Sequence, residues 1–272
     1  MLITSIASSI VYFERIKYMG RYKKAIFAVL IVCILLTIGI SIFSKKYVYF
    51  NGEIYSNEIT ELRIREYKAL RNIKKFPNLK KVVIGSSWDM SLDSLDFLDE
   101  SNIEELVIIA QNIEDWSSLE KLTNLKTFII YASNFSDMSY ISELRNLETI
   151  RIDSSQIVSL DHIENLSELK NLSLYCNRIT DIDIEGLSSL NKLEYLCIGK
   201  NYITSLQGFE NLKSLKSLSI EYNSISDFDV LCRMGNLEKI VVSENELPTE
   251  ISETLAENGV EIIITQNSAD RL

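Results

Sequence analysis

Apolar residues return along this chain at a fixed cadence. In the stretch from Leu193 to Leu212 they fall at Leu193, Leu196, Ile198, Ile203, Leu206, Phe209 and Leu212, and the same seven offsets are apolar in the units starting at Ile103, Leu125, Leu147 and Leu215. Alternation at Leu196 and Ile198 is the period of a strand with one buried face. Spacing of three from Ile203 to Leu212 suits 3₁₀-like turns better than a long α-helix. One unit is therefore predicted to be a strand followed by a tight return. Unit starts fall at Ile59, Leu79, Ile103, Leu125, Leu147, Leu169, Leu193, Leu215 and Leu237, with a last strand placed at Val260, 23 residues further on. A single unit cannot close a core around seven apolar side chains, so units must stack and join their strands into one parallel sheet. Roughly ten strands about 4.8 Å apart give a stack about 45 to 50 Å long before curvature.

The repeated segment is explicit. Leu169-Lys-Asn-Leu172-Ser-Leu174-Tyr-Cys-Asn177-Arg-Ile179 recurs as Leu193-Glu-Tyr-Leu196-Cys-Ile198-Gly-Lys-Asn201-Tyr-Ile203 and as Leu215-Lys-Ser-Leu218-Ser-Ile220-Glu-Tyr-Asn223-Ser-Ile225. This resembles the leucine-rich repeat, L-x-x-L-x-L-x-x-N-x-L, in the 22-residue form of bacterial internalins and of the phosphatase-regulator class. The resemblance covers residues 59 to 265 and implies an α/β solenoid, a curved parallel sheet with short 3₁₀ or turn returns. The ninth position is Asn in four units only, Asn177, Asn201, Asn223 and Asn245; earlier units carry Ser87, Gln111, Ser133 and Ser155 there. An Asn side chain both donates and accepts, so it can replace the ladder partners that the backbone loses where the strand turns away. These four form a predicted structural ladder.

Composition narrows the function classes. The 272 residues are 46% apolar and 24% charged, enough to bury a large core. Nine glycines never stand in the spacing of a dinucleotide fingerprint or a P-loop, and one His with four scattered Cys does not spell a zinc site. The net charge of −10 is unevenly spread: residues 1 to 46 hold seven bases and one acid, leaving 21 bases against 37 acids beyond. A surface that acidic repels phosphate backbones, so nucleic acid is not an expected partner.

Residues 25–43 read AIFAVLIVCILLTIGISIF, nineteen without a charge, which as a helix reach about 28 Å and nearly span a bilayer. Five bases precede the run (Arg15, Lys17, Arg21, Lys23, Lys24) and two follow it (Lys45, Lys46), which favours a cytoplasmic N-terminus. A cleaved signal peptide is the rival reading, but Ser41-Ile42-Phe43-Ser44 offers no small-residue cleavage site. A buried soluble helix is the third, and translation from Met19 is a further option. The expected organisation is a basic cytoplasmic segment over 1–24, a transmembrane signal anchor over 25–43, a tether and N-terminal cap over 44–58, repeats over 59–247, and a C-terminal cap with the final strand over 248–272. It predicts a single-pass plasma-membrane protein whose repeats lie outside the cytoplasm. The tether is short, and the repeats are expected to stand close to the bilayer.

If the family logic holds, partners dock on the concave sheet at the third, fifth and seventh positions of each unit. Val83, Val107, Ile109, Ile129 and Tyr131 make an apolar stretch there. Arg151, Asp153, Tyr175, Tyr195 and Glu221 follow, with Tyr202 and Tyr222 at the rim. Tyrosine combines contact area with a hydrogen-bonding hydroxyl, which suits interfaces, although Val, Ile and Tyr also favour strands as such. A protein partner is expected and a glycan is the other option, with the membrane contacted through 25–43. The alternative function is a cytoplasmic-facing regulator or scaffold that docks on an enzyme such as a phosphatase.

Catalytic, cofactor and metal sites are not expected. His162 falls on the return rather than the strand. Asp181-Ile-Asp183-Ile-Glu185-Gly186 imitates the start of an EF-hand loop, but its twelfth position is Lys192 instead of Glu. Two extra residues in that unit predict a bulged return loop. Asp89, Asp93, Asp96, Asp99 and Glu100 mark another irregular unit, expected to be a solvated edge. Cys176, Cys197 and Cys232 sit at unlike offsets, which argues against a bridge.

Overall fold

The computed structural model describes residues 36, 39–40, 46–50, 53–64, 73–85, 91–99, 101–109, 112–180, 182, 184–243 and 247–265. Almost all of the apolar run at 25–43 lies outside these residues. Among the described residues no helix is long and apolar enough to cross a membrane. The chain divides into two units, one of Met1–Tyr49 with Glu53–Asn57 and one of Phe50–Gly52 with Glu58–Leu272. Strands β1 (Tyr47–Phe50) and β2 (Glu53–Ser56) pair in a two-stranded sheet. In the first unit the Asn57 amide donates to the Lys46 carbonyl at 2.9 Å.

The second unit holds a ten-stranded sheet whose strands follow one another in chain order. They are β3 (Glu61–Ile64), β4 (Lys81–Ile84), β6 (Glu105–Ile109), β8 (Thr127–Tyr131), β9 (Thr149–Asp153), β10 (Asn171–Ser173), β11 (Tyr195–Cys197), β12 (Ser217–Ser219), β13 (Lys239–Ser243) and β14 (Glu261–Thr265). Every neighbouring pair is parallel. Register repeats the sequence cadence: Leu172 faces Leu196, Leu196 faces Leu218 and Leu218 faces Ile240. At the end the expected step of 23 is wrong. Ile240 faces Ile262, so the last strand keeps the ordinary step, and Val260 is the residue before it.

The seven apolar offsets become the core. Of those in the five units starting at 103, 125, 147, 193 and 215, all are buried except Ile225, which is half-buried. Large rings thicken it where the sheet is covered: Phe135 meets Trp116 edge-on at 4.8 Å and Phe128 at 5.7 Å. The returns are 3₁₀ turns, for example Ser117–Lys121, Met138–Ile141, Phe209–Asn211 and Asp229–Arg233.

Two units depart from the common return. The one expected to bulge at 181–186 instead winds α1 (Ile184–Ser189), because two extra residues let the return complete α-helical hydrogen bonds. In the acidic unit around Asp93 the carboxylates of Asp93 and Asp96 are exposed, in line with the solvated edge expected there, but the unit also carries strands. There β5 (Ser91–Ser94) pairs in parallel with β7 (Asn112–Asp115), making a second small sheet. At the C-terminus Pro248 precedes α2 (Thr249–Glu257), which buries Leu255. Gly259, at φ 82°, stops that helix and donates its amide to the Ala256 carbonyl at 3.0 Å, as a left-handed glycine after a helix does.

Candidate interaction face

The strand exit is what holds each unit's outer residues in place. At the eighth position the backbone is left-handed in unit after unit: Ala132, Ser154, Cys176, Lys200 and Tyr222 all have φ between 53° and 58°. None of these is glycine, so each costs about 1–2 kcal/mol that the surrounding bonds must offset. The ninth-position Asn supplies them. Asn201 Oδ1 accepts from the Ile179 amide at 3.1 Å, and its Nδ2 donates to the carbonyls of Leu174, Ile198 and Gly199 at 3.0 to 3.1 Å. Asn177 serves Ile157, Ile152 and Leu174 in the same way, and Asn223 serves Ile203, Ile198 and Ile220. Asn245 lies outside the described residues.

Earlier units solve the same problem with residues that the repeat pattern did not flag. Asn134, one place later than the ladder position, accepts from the Ile113 amide at 3.1 Å and donates to the Ile113 carbonyl at 2.9 Å. It closes the free edge of β7 as a strand would. Where Ser155 replaces Asn, the Phe135 amide is taken by Ser133 Oγ of its own unit at 3.0 Å. Gly85, at φ 117°, has no room for a side chain, since a Cβ would lie 2.2 Å from the Ile109 carbonyl oxygen.

The sheet face opposite the core carries the third, fifth and seventh positions, and it is more closed than alternation suggests. Val83, Val107, Asp153 and Glu221 are buried among their neighbours on this face, while Ile129, Tyr131 and Tyr175 are half-buried. Ile109, Arg151, Tyr195 and Tyr202 are exposed, and Tyr222 is half-buried beside Tyr202's unit. The expected surface thus has a closed floor of two valines and two carboxylates and a tyrosine-rich upper layer.

Two carboxylates sit in this floor. Asp153 accepts from Ser173 Oγ at 2.8 Å, from the Tyr175 amide at 3.2 Å, and from Arg151 Nε, with which it forms an ion pair. The Arg151 guanidinium also lies 5.0 Å from the centre of the Tyr131 ring. Glu221 accepts from Ser219 Oγ, whose other neighbour is Cys197 Sγ at 3.5 Å. Burial, followed by the Glu221 charge, pushes the Tyr175 hydroxyl above its ordinary pKa. Burial, followed by Cys197, pushes Tyr195 up further still. Both rings stay neutral hydrogen-bonding groups across the physiological range.

Elsewhere the chemistry is sparse. His162 stands exposed in a left-handed turn at φ 72° on the return side. Cys176, Cys197 and Cys232 are free thiols. Among the described residues no group of three or more His, Cys, Asp or Glu side chains could hold a metal ion.

The family model for the leucine rich repeat matches residues 145–203 and 167–225, the region of the Asn ladder. No curated protein matches the sequence. Among solved structures the chain is similar to internalin C2 from Listeria monocytogenes, at 28% identity and a TM-score of 0.55, over 67% of this chain and 79% of that one. A leucine-rich-repeat protein from Leptospira interrogans shares the fold at 16% identity and a TM-score of 0.50, over 76% of this chain and 64% of that one. With a register that repeats strand by strand and an Asn ladder at the strand exits, residues 145–225 are leucine-rich repeats, and the fold of the chain is similar to that of internalins.

Proposed function

We propose that this protein is a membrane-anchored interaction module that binds a protein partner through the outer face of its ten-stranded sheet. Stacked repeats offer an extended surface of fixed geometry, which is how solenoids generally recognise partners. The observation that carries the reading is the layer of half-exposed tyrosines, Tyr131, Tyr175 and Tyr195, standing on a tightly packed floor of Val83, Val107 and Asp153. Rigid rings with polar tips give contact area at little entropic cost. Anchoring is supported by the uncharged run at 25–43, and the excess of bases before it favours repeats outside the cytoplasm.

Two experiments test the two halves of this reading. Protease treatment of intact cells is expected to digest the repeats; repeats that resist until lysis point instead to the cytoplasmic regulator. Ile129→Glu combined with Tyr131→Ala is expected to abolish proximity labelling of a partner while the circular dichroism spectrum is kept. Unchanged labelling removes the sheet face as the binding surface.

A further inference from the structure

The seventh-position row runs Tyr131, Asp153, Tyr175, Gly199, Glu221 along consecutive strands. It therefore presents the same pair, a tyrosine and a carboxylate, twice. In the first pair the ring and the acid belong to adjacent units, and Arg151 completes it, with its guanidinium over Tyr131 and bonded to Asp153. The protein has built a cation seat and filled it from its own chain.

In the second pair Gly199 separates the ring from the acid, leaving backbones roughly 9–10 Å apart across a notch. The Glu221 side chain leans into that notch: a Cβ on Gly199 would lie 2.7 Å from its Cδ and its Oε1. Glycine is needed here for space, since Gly199 is not left-handed. Below the notch the fifth-position residues are Ser173, Cys197 and Ser219, none of which carries a positive charge. Among the described residues no ion pair reaches Glu221, although it is only 7% exposed. A carboxylate that deep normally has a cation beside it, as Asp153 has.

We propose that the notch over Gly199 is the seat for a basic side chain, a lysine ammonium or an arginine guanidinium, presented by the protein partner. The cation lies between the Glu221 carboxylate and the Tyr175 ring, with Tyr195 and Tyr222 at its sides, as Arg151 lies between Asp153 and Tyr131. The chemistry is that of a tyrosine-lined cation site closed by one acid. This inference rests on the sheet face being the binding surface, and it names the kind of residue that surface reads.

The test uses the full chain, ¹⁵N-labelled in zwitterionic detergent micelles, titrated with n-butylammonium and ethylguanidinium as side-chain probes and n-butanol as the uncharged control. Saturable shifts are expected at the Gly199, Lys200 and Tyr222 amides with either cation and not with n-butanol. Glu221→Gln keeps the shape and an acceptor for Ser219, and it is expected to weaken the response at least tenfold. Gly199→Ala, which pushes the carboxylate out, is expected to do the same. Absence of saturable shifts, or an equal response in Glu221→Gln with an otherwise unchanged spectrum, overturns the seat. Partner labelling separates this from failure of the wider reading. If the Ile129→Glu, Tyr131→Ala variant loses the partner and Glu221→Gln keeps it, the face stands and the seat falls. If the cations bind in the notch while that double variant keeps its partner, the notch is a cation site, but its assignment to a partner's side chain falls with the face reading.

Discussion

The first and last thirds of the solenoid face the same difficulty, a strand that must leave the sheet with its backbone groups satisfied, and they solve it with different materials. From Leu147 onward the answer is a side chain, the Asn of the next unit, buried at Asn177 and Asn201 and half-buried at Asn223, with nearly unchanged distances. Before that it is mostly backbone, the small β5–β7 sheet, finished by the shifted Asn134 and by Ser133. A side-chain ladder is cooperative and regular, because each Asn bonds both its own unit and its neighbour. A backbone ladder tolerates another residue at the ninth position, as at Ser133, and where Ser155 stands the Phe135 amide turns to Ser133 Oγ instead.

The largest effect should come from the core that both regions share. Phe135→Ala removes the ring that Trp116 and Phe128 pack against and is expected to cost about 3–5 kcal/mol in denaturant unfolding. Next is the ladder itself. Asn201→Ala strands the Ile179 amide and leaves carbonyls in two units without their donor, so a loss of about 3 kcal/mol is expected. Hydrogen exchange should then speed up in the units on both sides. Asn134→Ala leaves one residue, Ile113, without its partner and should cost about 1–2 kcal/mol, with faster exchange confined to β5 and β7. Equal costs at Asn134 and Asn201 would erase the distinction drawn between the regions. Lys200→Gly relieves a left-handed backbone at an exposed site and should stabilise by about 1 kcal/mol.

The smallest effect is electrostatic. The second position of successive units alternates in charge, Lys80, Glu104, Lys126, Glu148, Lys170, Glu194 and Lys216. Glu104 bridges Lys126 at 2.8 Å and Lys80 at 2.6 Å. Hydrogen bonding to Lys126, then to Lys80, holds its carboxyl down from 4.5 to about 2. A lowered folded value means that its contribution is complete above the unfolded pKa and fades as pH falls through the folded one. The melting temperature should therefore drop between pH 4.5 and about 2, by less in Glu104→Gln than in the wild type, and by less again in 1 M salt.

The cadence of apolar residues made strand number, order and parallel register readable in advance, because a buried position every few residues admits one stacking. The ladder was readable for the same reason, Asn being the residue that both donates and accepts. What periodicity could not show was where the pattern is broken and repaired. Asn134 stands one place off register, β5 carries a single well-buried apolar residue, Leu92, and two extra residues can be a loop as easily as the helix Ile184–Ser189. The outer face was legible as a set of positions, but not as depths. Val83 and Val107 are nearly closed to solvent although they stand on the face opposite the core, where Val83 pairs with Val107 and Val107 with Ile129, neighbours that no single repeat contains. What sets Gly199 apart is spatial and not sequential: the Glu221 carboxylate leans into the place that a side chain there would take.

The central claim is that one face of this sheet meets another protein. A photo-crosslinking amino acid placed at Tyr195, exposed on that face, and separately at Val158, exposed on the return side, tests it directly in cells that make the protein. A discrete protein adduct is expected from position 195 and none from position 158. An adduct from position 158 alone, or the same adduct from both, would contradict it.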